Sequence, residues 1–199
     1  SVKKLVLIAS VASYNANFPM PPNGKSAEDP IDEKKEKFIS QDCHPYGQAK
    51  FLANKLVEKF IQENPNPHFE ITSVSPVMVF GKSLSCREDS TSTAMQYFIQ
   101  KMIAPNDHIK FFFKTDAYFA IVDVRDVAHA VFKTASSNGL HGKNYLLSSE
   151  TWRVSDLNRM LNLSEPLHEP LMVYQNKLAR EELHMEFKPV KQTLYSYAL

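Results

Sequence analysis

Val2-Lys-Lys-Leu-Val-Leu-Ile-Ala-Ser10 opens the chain, and Phe69-Glu-Ile-Thr-Ser-Val-Ser-Pro-Val-Met-Val-Phe-Gly81 is its counterpart further on. The first is a continuous apolar run, the pattern of a strand buried on both faces of a parallel sheet, and within the second a β-branched strand is expected over 71–80. Between them, from about residue 45 to 64, the period turns helical. Phe51, Leu52, Leu56, Phe60 and Ile61 recur at spacings of three and four, and Asn64-Pro65-Asn66-Pro67 stops the helix. Strand, helix, strand at these lengths is a βαβ unit, which implies a right-handed crossover and parallel pairing. Pro76 has no N–H for a ladder, so the second strand must end or bend there.

Outward from this unit the signals are weaker. Residues 14–33, rich in Pro, Asn and Asp, read as a long surface loop. A polar stretch at 83–93 leads to a helix over 94–103 and then to the aromatic run Phe111-Phe112-Phe113. A helix is expected over 123–136, with Asp123 and Asp126 giving it an acidic first turn. Asp123, Arg125 and Asp126 read as a helix start with a salt bridge. Residues 144–149 read as a short strand, Ser155 as the N-cap of a helix reaching Leu161, and 176–183 as a final helix.

Composition excludes several classes of function. The 199 residues are 43% apolar and 23% charged, with a formal net charge of +1. That balance is ordinary for a soluble globular protein and gives no basic face for nucleic acid. No apolar run is long enough to span a bilayer and no signal-peptide pattern opens the chain, so the reading is no membrane and a cytoplasmic protein. Cys43 and Cys86 form no CxxC pair and are expected as reduced thiols. The seven histidines show no HExxH or Cys/His cluster, so no metal site is expected. The five glycines include no GxGxxG or GxxxxGK[ST] spacing, so no pyrophosphate-cradling loop is recognisable.

Tyr46 and Lys50 stand four apart on the expected helix and share a face. A phenol is a poor acid at neutral pH, and a neighbouring ammonium favours its ionised form. The same spacing recurs at Tyr97 and Lys101. Only Tyr46 opens a helix between two buried strands, the first ending in Ser10 and Ser13, and active sites of open α/β sheets gather at that edge. On pattern alone, a helix-start tyrosine and a solvated lysine explain the pair equally well. Cys43 and His44 suggest a Cys/His nucleophile, but no further partner is visible. Tyr14, Phe80, Met95, Tyr118 and Phe119 are candidates for an apolar substrate pocket, with ordinary core as the competing reading.

Several segments together resemble extended short-chain dehydrogenases/reductases, the NAD-dependent epimerase/dehydratase-like family. Leu5-Val-Leu-Ile-Ala-Ser10-Val-Ala-Ser13-Tyr14 resembles the strand that delivers the family's serine, and Tyr46-Gly-Gln-Ala-Lys50 follows 36 residues after Ser10. Ile71–Gly81 resembles the next strand, Ile121-Val-Asp123-Val-Arg-Asp126-Val-Ala128 the "VDVRDVA" segment, and Tyr145-Leu-Leu-Ser-Ser149 the last strand. Residues 69–81 are most similar to the dihydroflavonol reductase-like and methylglyoxal reductase branch.

The resemblance implies an α/β fold: the later half of a doubly wound parallel (Rossmann-type) sheet with a small substrate-side region. Residues 1–81 and 121–149 would form the C-terminal half of the dinucleotide-binding domain, and 82–120 and 150–199 the substrate-binding region. It implies NAD(P)H-dependent reduction of an aldehyde or ketone, a small-molecule carbonyl substrate, and NADP or NAD as cofactor with NADPH favoured. Ser10 would bond the substrate carbonyl, Tyr46 would donate the proton, and Lys50 would activate Tyr46 and bind the nicotinamide ribose. Pro76, Val77, Met78 and Val79 would border the nicotinamide, and Ser13, Tyr14 and Phe80 would contact substrate. Ala9 replaces a frequent hydroxyl residue and Lys82 stands where proline is common, so Ser10 and Ser13 share the serine role at this stage. The same machinery serves nucleotide-sugar epimerases or dehydratases and hydroxysteroid dehydrogenases, and a non-catalytic scaffold on this fold is the rival from another class. The family's glycine-rich N-terminal half precedes the segments found here. The opening strand should therefore expose an unpaired apolar edge, covered by a longer natural protein, a homo-oligomer partner or another chain.

Overall fold

Val74 has no exposed surface, and all of Ile71–Val77 is buried. This is the environment of a central strand, and β-branched residues suit it because they pack well on a pleated surface. In the computed structural model, which describes residues 2–15, 25–34, 43–65, 67–83 and 90–198, β2 (Glu70–Pro76) lies between β1 (Lys4–Ile8) and β5 (Asn144–Leu147). Both pairings are parallel, with Val6 opposite Thr72 and Val74 opposite Tyr145. The α/β fold and parallel sheet expected from the sequence are present. Cys86 and parts of the expected loops, at 16–24 and 84–89, lie outside the described residues.

α1 (Pro45–Glu63) makes the crossover from β1 to β2. Pro45 takes the first helical position, where a missing N–H costs nothing, and Asn64 caps the other end. Its apolar residues are not buried as expected: Leu52, Leu56 and Phe60 are exposed, and Gly47 and Asn54 are the buried positions. β1 differs from expectation in the same way. It is an edge strand among the described residues, and Leu5 and Ile8 are exposed at 43% and 54%. A strand is buried on both faces only where layers cover both, and here α4 (Val124–Ser136) packs against β1.

At Pro76 the chain changes sheets. Val77 still donates to Leu147 O at 3.0 Å, but β3 (Met78–Phe80) pairs in parallel with β4 (Tyr118–Asp123). β6 (Glu150–Arg153) completes this second sheet antiparallel to β4. Gly81 leaves β3 at φ +135°, and a Cβ there would come within 2.9 Å of Val124 Cγ1, so the turn needs glycine.

Around the second sheet pack α2 (Thr91–Lys101), α3 (Asp107–Lys114), α5 (Val154–Leu161) and α7 (Val190–Ala198), closing a core of Ile99, Phe112, Phe119, Ile121, Leu157 and Leu194. The aromatic run at 111–113 belongs to α3: Phe112 is buried against Phe119 while Phe111 faces out. α5 starts at Val154, one residue before the expected cap, and the Ser155 hydroxyl bonds Asp116 instead. α6 (Lys177–Glu182) lies against β5. Among the described residues, no helix is long and apolar enough to cross a membrane.

Candidate active site

β1 ends at Ile8, opposite Val74, so Ser10 and Pro76 each lie two residues past that pair at the C-terminal edge of the sheet. Ser10 is extended and caps a 3-10 turn, Val11–Ser13, its Oγ accepting Ala12 N–H at 3.2 Å. α1 packs directly on this turn. The sequence therefore brings the strand end, the turn and the Tyr46 helix into one place, as the βαβ reading requires.

His44 caps α1 by accepting Tyr46 N–H on Nδ1 at 3.2 Å, and Gln48 donates to Cys43 O at 2.9 Å. Cys43 is a buried free thiol whose carbonyl anchors the helix start. These contacts give Cys43 and His44 capping work in place of the nucleophile and base the sequence left open. Tyr46 is 54% exposed, with Lys50 Nζ 5.7 Å from its ring centre. Lys50 also reaches Ile8 O at 3.4 Å, a long contact that an incoming ligand displaces at little cost.

The two serines differ. Ser13 is fully buried and donates its hydroxyl to Ser10 O at 2.9 Å. Among the described residues Ser10 Oγ acts as an acceptor, and its hydroxyl proton can turn to a carbonyl oxygen.

Of the residues expected to border a nicotinamide, Pro76 and Val77 are buried at the sheet crossing, and Met78 and Val79 are half-buried in β3. Two residues expected as substrate contacts are buried. Tyr14 is 1% exposed inside the first core, its hydroxyl oxygen accepting from Asn144 at 2.9 Å. Phe80 is fully buried in the second core. Both are large side chains packed as filling of the two cores. Tyr97 faces out on α2.

One feature was missed from the sequence. A cleft of about 480 Å3 opens between the end of β3 and the starts of α2 and α4, lined by Lys82, Ser90, Thr93 and Arg125 among others. The polar stretch before α2 was its signal, but its opposite wall comes from the start of α4. Arg125 there is paired with the buried Asp123 at 2.6 Å. Burial pushes the Asp123 carboxyl up, yet the Arg125 contacts and the Thr193 hydroxyl outweigh it and hold it below the usual carboxylate range. Among the described residues no group of three or more His, Cys, Asp or Glu could hold a metal ion.

Residues 1–148 match the model of the NAD dependent epimerase/dehydratase family. The chain belongs to this family. Relatives within reach include the NADPH-dependent methylglyoxal reductase Gre2 of Saccharomyces cerevisiae, 25% identical over 98% of this chain and 62% of that protein. An uncharacterized oxidoreductase of Schizosaccharomyces pombe is 24% identical over 86% of this chain and 52% of its own length. The chain thus spans between half and two thirds of the curated relatives it matches. The crystal structure of yeast Gre2 complexed with NADPH superposes with a TM-score of 0.72 at 22% identity, over all of this chain and 63% of that one. That likeness establishes the Rossmann-type fold of this epimerase/dehydratase family member.

Proposed function

We propose that this chain carries the catalytic face of an NAD(P)H-dependent reductase of aldehydes or ketones. The observation that carries the reading is the exposed Tyr46 with the Lys50 ammonium 5.7 Å from its ring centre, on the helix packed against the turn that Ser10 caps. The yeast relative, an NADPH-dependent methylglyoxal reductase, is of this class.

The residues present fit the reacting end of a nicotinamide cofactor. Lys50 would meet its ribose, and the backbone from Pro76 to Val79 would lie along the ring; when bound, the cofactor supplies the hydride. Ser10 donates its hydroxyl to the substrate carbonyl oxygen and fixes its direction. Tyr46 gives its proton to that oxygen as the carbon is reduced, and solvent restores the proton afterwards. The Lys50 charge beside the ring stabilises the phenolate left behind. The substrate-side region would be built from 82–120 and 150–199, and NADPH is the favoured form by analogy with the yeast relative. The edge of β1, unpaired among the described residues, and the exposed Leu5, Ile8, Leu52, Leu56 and Phe60 would be covered by further βα units or a second chain that also supplies the pyrophosphate loop.

The test is NADPH oxidation followed at 340 nm with methylglyoxal and aromatic aldehydes, comparing wild type with Tyr46→Phe and Lys50→Met. The proposal expects turnover that falls at least about 100-fold in Tyr46→Phe. Turnover equal in the three proteins would overturn it.

A further inference from the structure

We propose that Tyr14, held by Asn144, is a positioning residue for Ser10; the inference rests on the reductase reading above. The 3-10 turn that Ser10 caps is short, and its ring closures are local. Ser10 O accepts Ser13 N–H at 3.1 Å, and Val11 O accepts Tyr14 N–H at 2.8 Å and Asn15 N–H at 3.2 Å. Turns of this kind have poor hydrogen-bond geometry and hold a fixed direction only when tertiary contacts anchor them. Ser10 needs such an anchor, because a hydroxyl aimed at a carbonyl loses effect with small displacements.

Tyr14 supplies it. Its ring is buried at 1% exposure in the first core, and its hydroxyl oxygen accepts from Asn144 Nδ2 at 2.9 Å. The other end of the same amide accepts the Ser75 hydroxyl at 2.9 Å. Ser75 has no exposed surface and immediately precedes Pro76, where β2 leaves the first sheet. A line of hydrogen bonds therefore runs from the end of the Ser10 turn, through the first residue of β5, to the residue before the expected nicotinamide border. It ties the serine and the Pro76 backbone to one rigid reference.

A tyrosine that merely fills the core would need no hydroxyl there. With the amide fixed by Ser75, Asn144 presents its N–H to one position, and the hydroxyl of Tyr14 stops the turn from sliding along the sheet. Polar groups partnered inside a packed core specify a single arrangement more sharply than apolar packing does.

The experiment uses the 199-residue chain and two readouts. Amide hydrogen exchange measured by NMR on wild type, Tyr14→Phe and Asn144→Leu reads the turn without needing turnover. The proposal expects exchange of Ala12, Ser13, Tyr14 and Asn15 to quicken in both variants while β1 and β2 keep their protection. NADPH-dependent carbonyl reduction then reads the chemistry, with Tyr14→Phe made in the wild-type and Ser10→Ala backgrounds. In wild type it should lower kcat on the order of ten-fold with KM little changed, and in Ser10→Ala it should have no further effect. Unchanged exchange in the turn, or a kcat loss that persists in the Ser10→Ala background, would overturn the proposal. Turnover that does not depend on Tyr46 would sink the reductase reading instead, and the exchange data would still decide whether Tyr14 holds the turn.

Discussion

Replacing Asp123 by Ala should be among the most damaging single changes outside the apolar core. Its carboxylate is 1% exposed and joins three elements. Oδ1 caps α4 by accepting Arg125 N–H at 2.7 Å and also takes Arg125 Nε at 2.9 Å, while Oδ2 accepts Arg125 Nη2 at 2.6 Å and the Thr193 hydroxyl of α7 at 2.8 Å. Losing the cap costs about 1 kcal/mol. Orphaning the fully buried Thr193 hydroxyl costs about 2 kcal/mol. The Arg125 side chain is 54% exposed, so its pairing adds at most about 1 kcal/mol after solvent screening. A net loss of about 3 kcal/mol lowers Tm by roughly 6–12 °C in a chain of this size. Urea unfolding followed by fluorescence is the assay, because the one tryptophan, Trp152, sits in the same core as α7. Asp123→Asn keeps the cap acceptor and should lose only about 1 kcal/mol. An Asp123→Ala protein within about 1 kcal/mol of wild type at unchanged m-value, or an Asn variant as unstable as the Ala one, would refute the reasoning.

Glu70 sets an acid limb. The Lys4 ammonium and the N–H groups of Gly139 and Leu140 hold its carboxyl down to about 2 against a modest burial effect. A lowered folded value means that its stabilisation is present above about 4.5, its unfolded value, and disappears as pH falls toward about 2. Glu70→Gln should flatten the stability profile in that window, and an unchanged acid limb would count against the pairing. Gly81→Ala places a methyl on Val124 at a left-handed φ and should lower stability by about 1–3 kcal/mol, with thermal melting as the check; a neutral result would contradict the tight turn. The outer edge of β1 should drive concentration-dependent association of the isolated chain, reduced by Leu5→Lys or Ile8→Lys. Sedimentation showing a monomer at high concentration for wild type would contradict the docking role given to that edge.

The βαβ unit was legible because its signals are local: the apolar opening run, the β-branched stretch at 71–80, Pro45 at the helix start, and the prolines that stop it. Asp123 as a helix start with its own salt bridge was legible for the same reason. The crossing at Pro76 could be foreseen as an end or a bend, but its destination could not, since β3 pairs with a strand at 118–123 that ends as the capping segment of α4. Tyr14 reads in sequence like a residue beside an active serine. Its burial in the first core is shared with residues as distant as Leu146, and its hydroxyl accepts from Asn144, 130 positions away. Nothing in the local pattern separates Ser10 from Ser13, and the difference appears once Ser13 is seen to spend its proton on Ser10 O. The exposure of Leu52, Leu56 and Phe60 went unforeseen because periodicity reports an apolar face and says nothing of what covers it.

The account stands most directly on transfer of deuterium from 4-deuterated NADPH to the carbonyl carbon of an aldehyde, measured in the product by mass spectrometry for wild type and Tyr46→Phe. It predicts labelled alcohol from wild type and a loss of at least about 100-fold in the variant, whose fold and melting stay those of wild type. Label transferred equally by both proteins would contradict it.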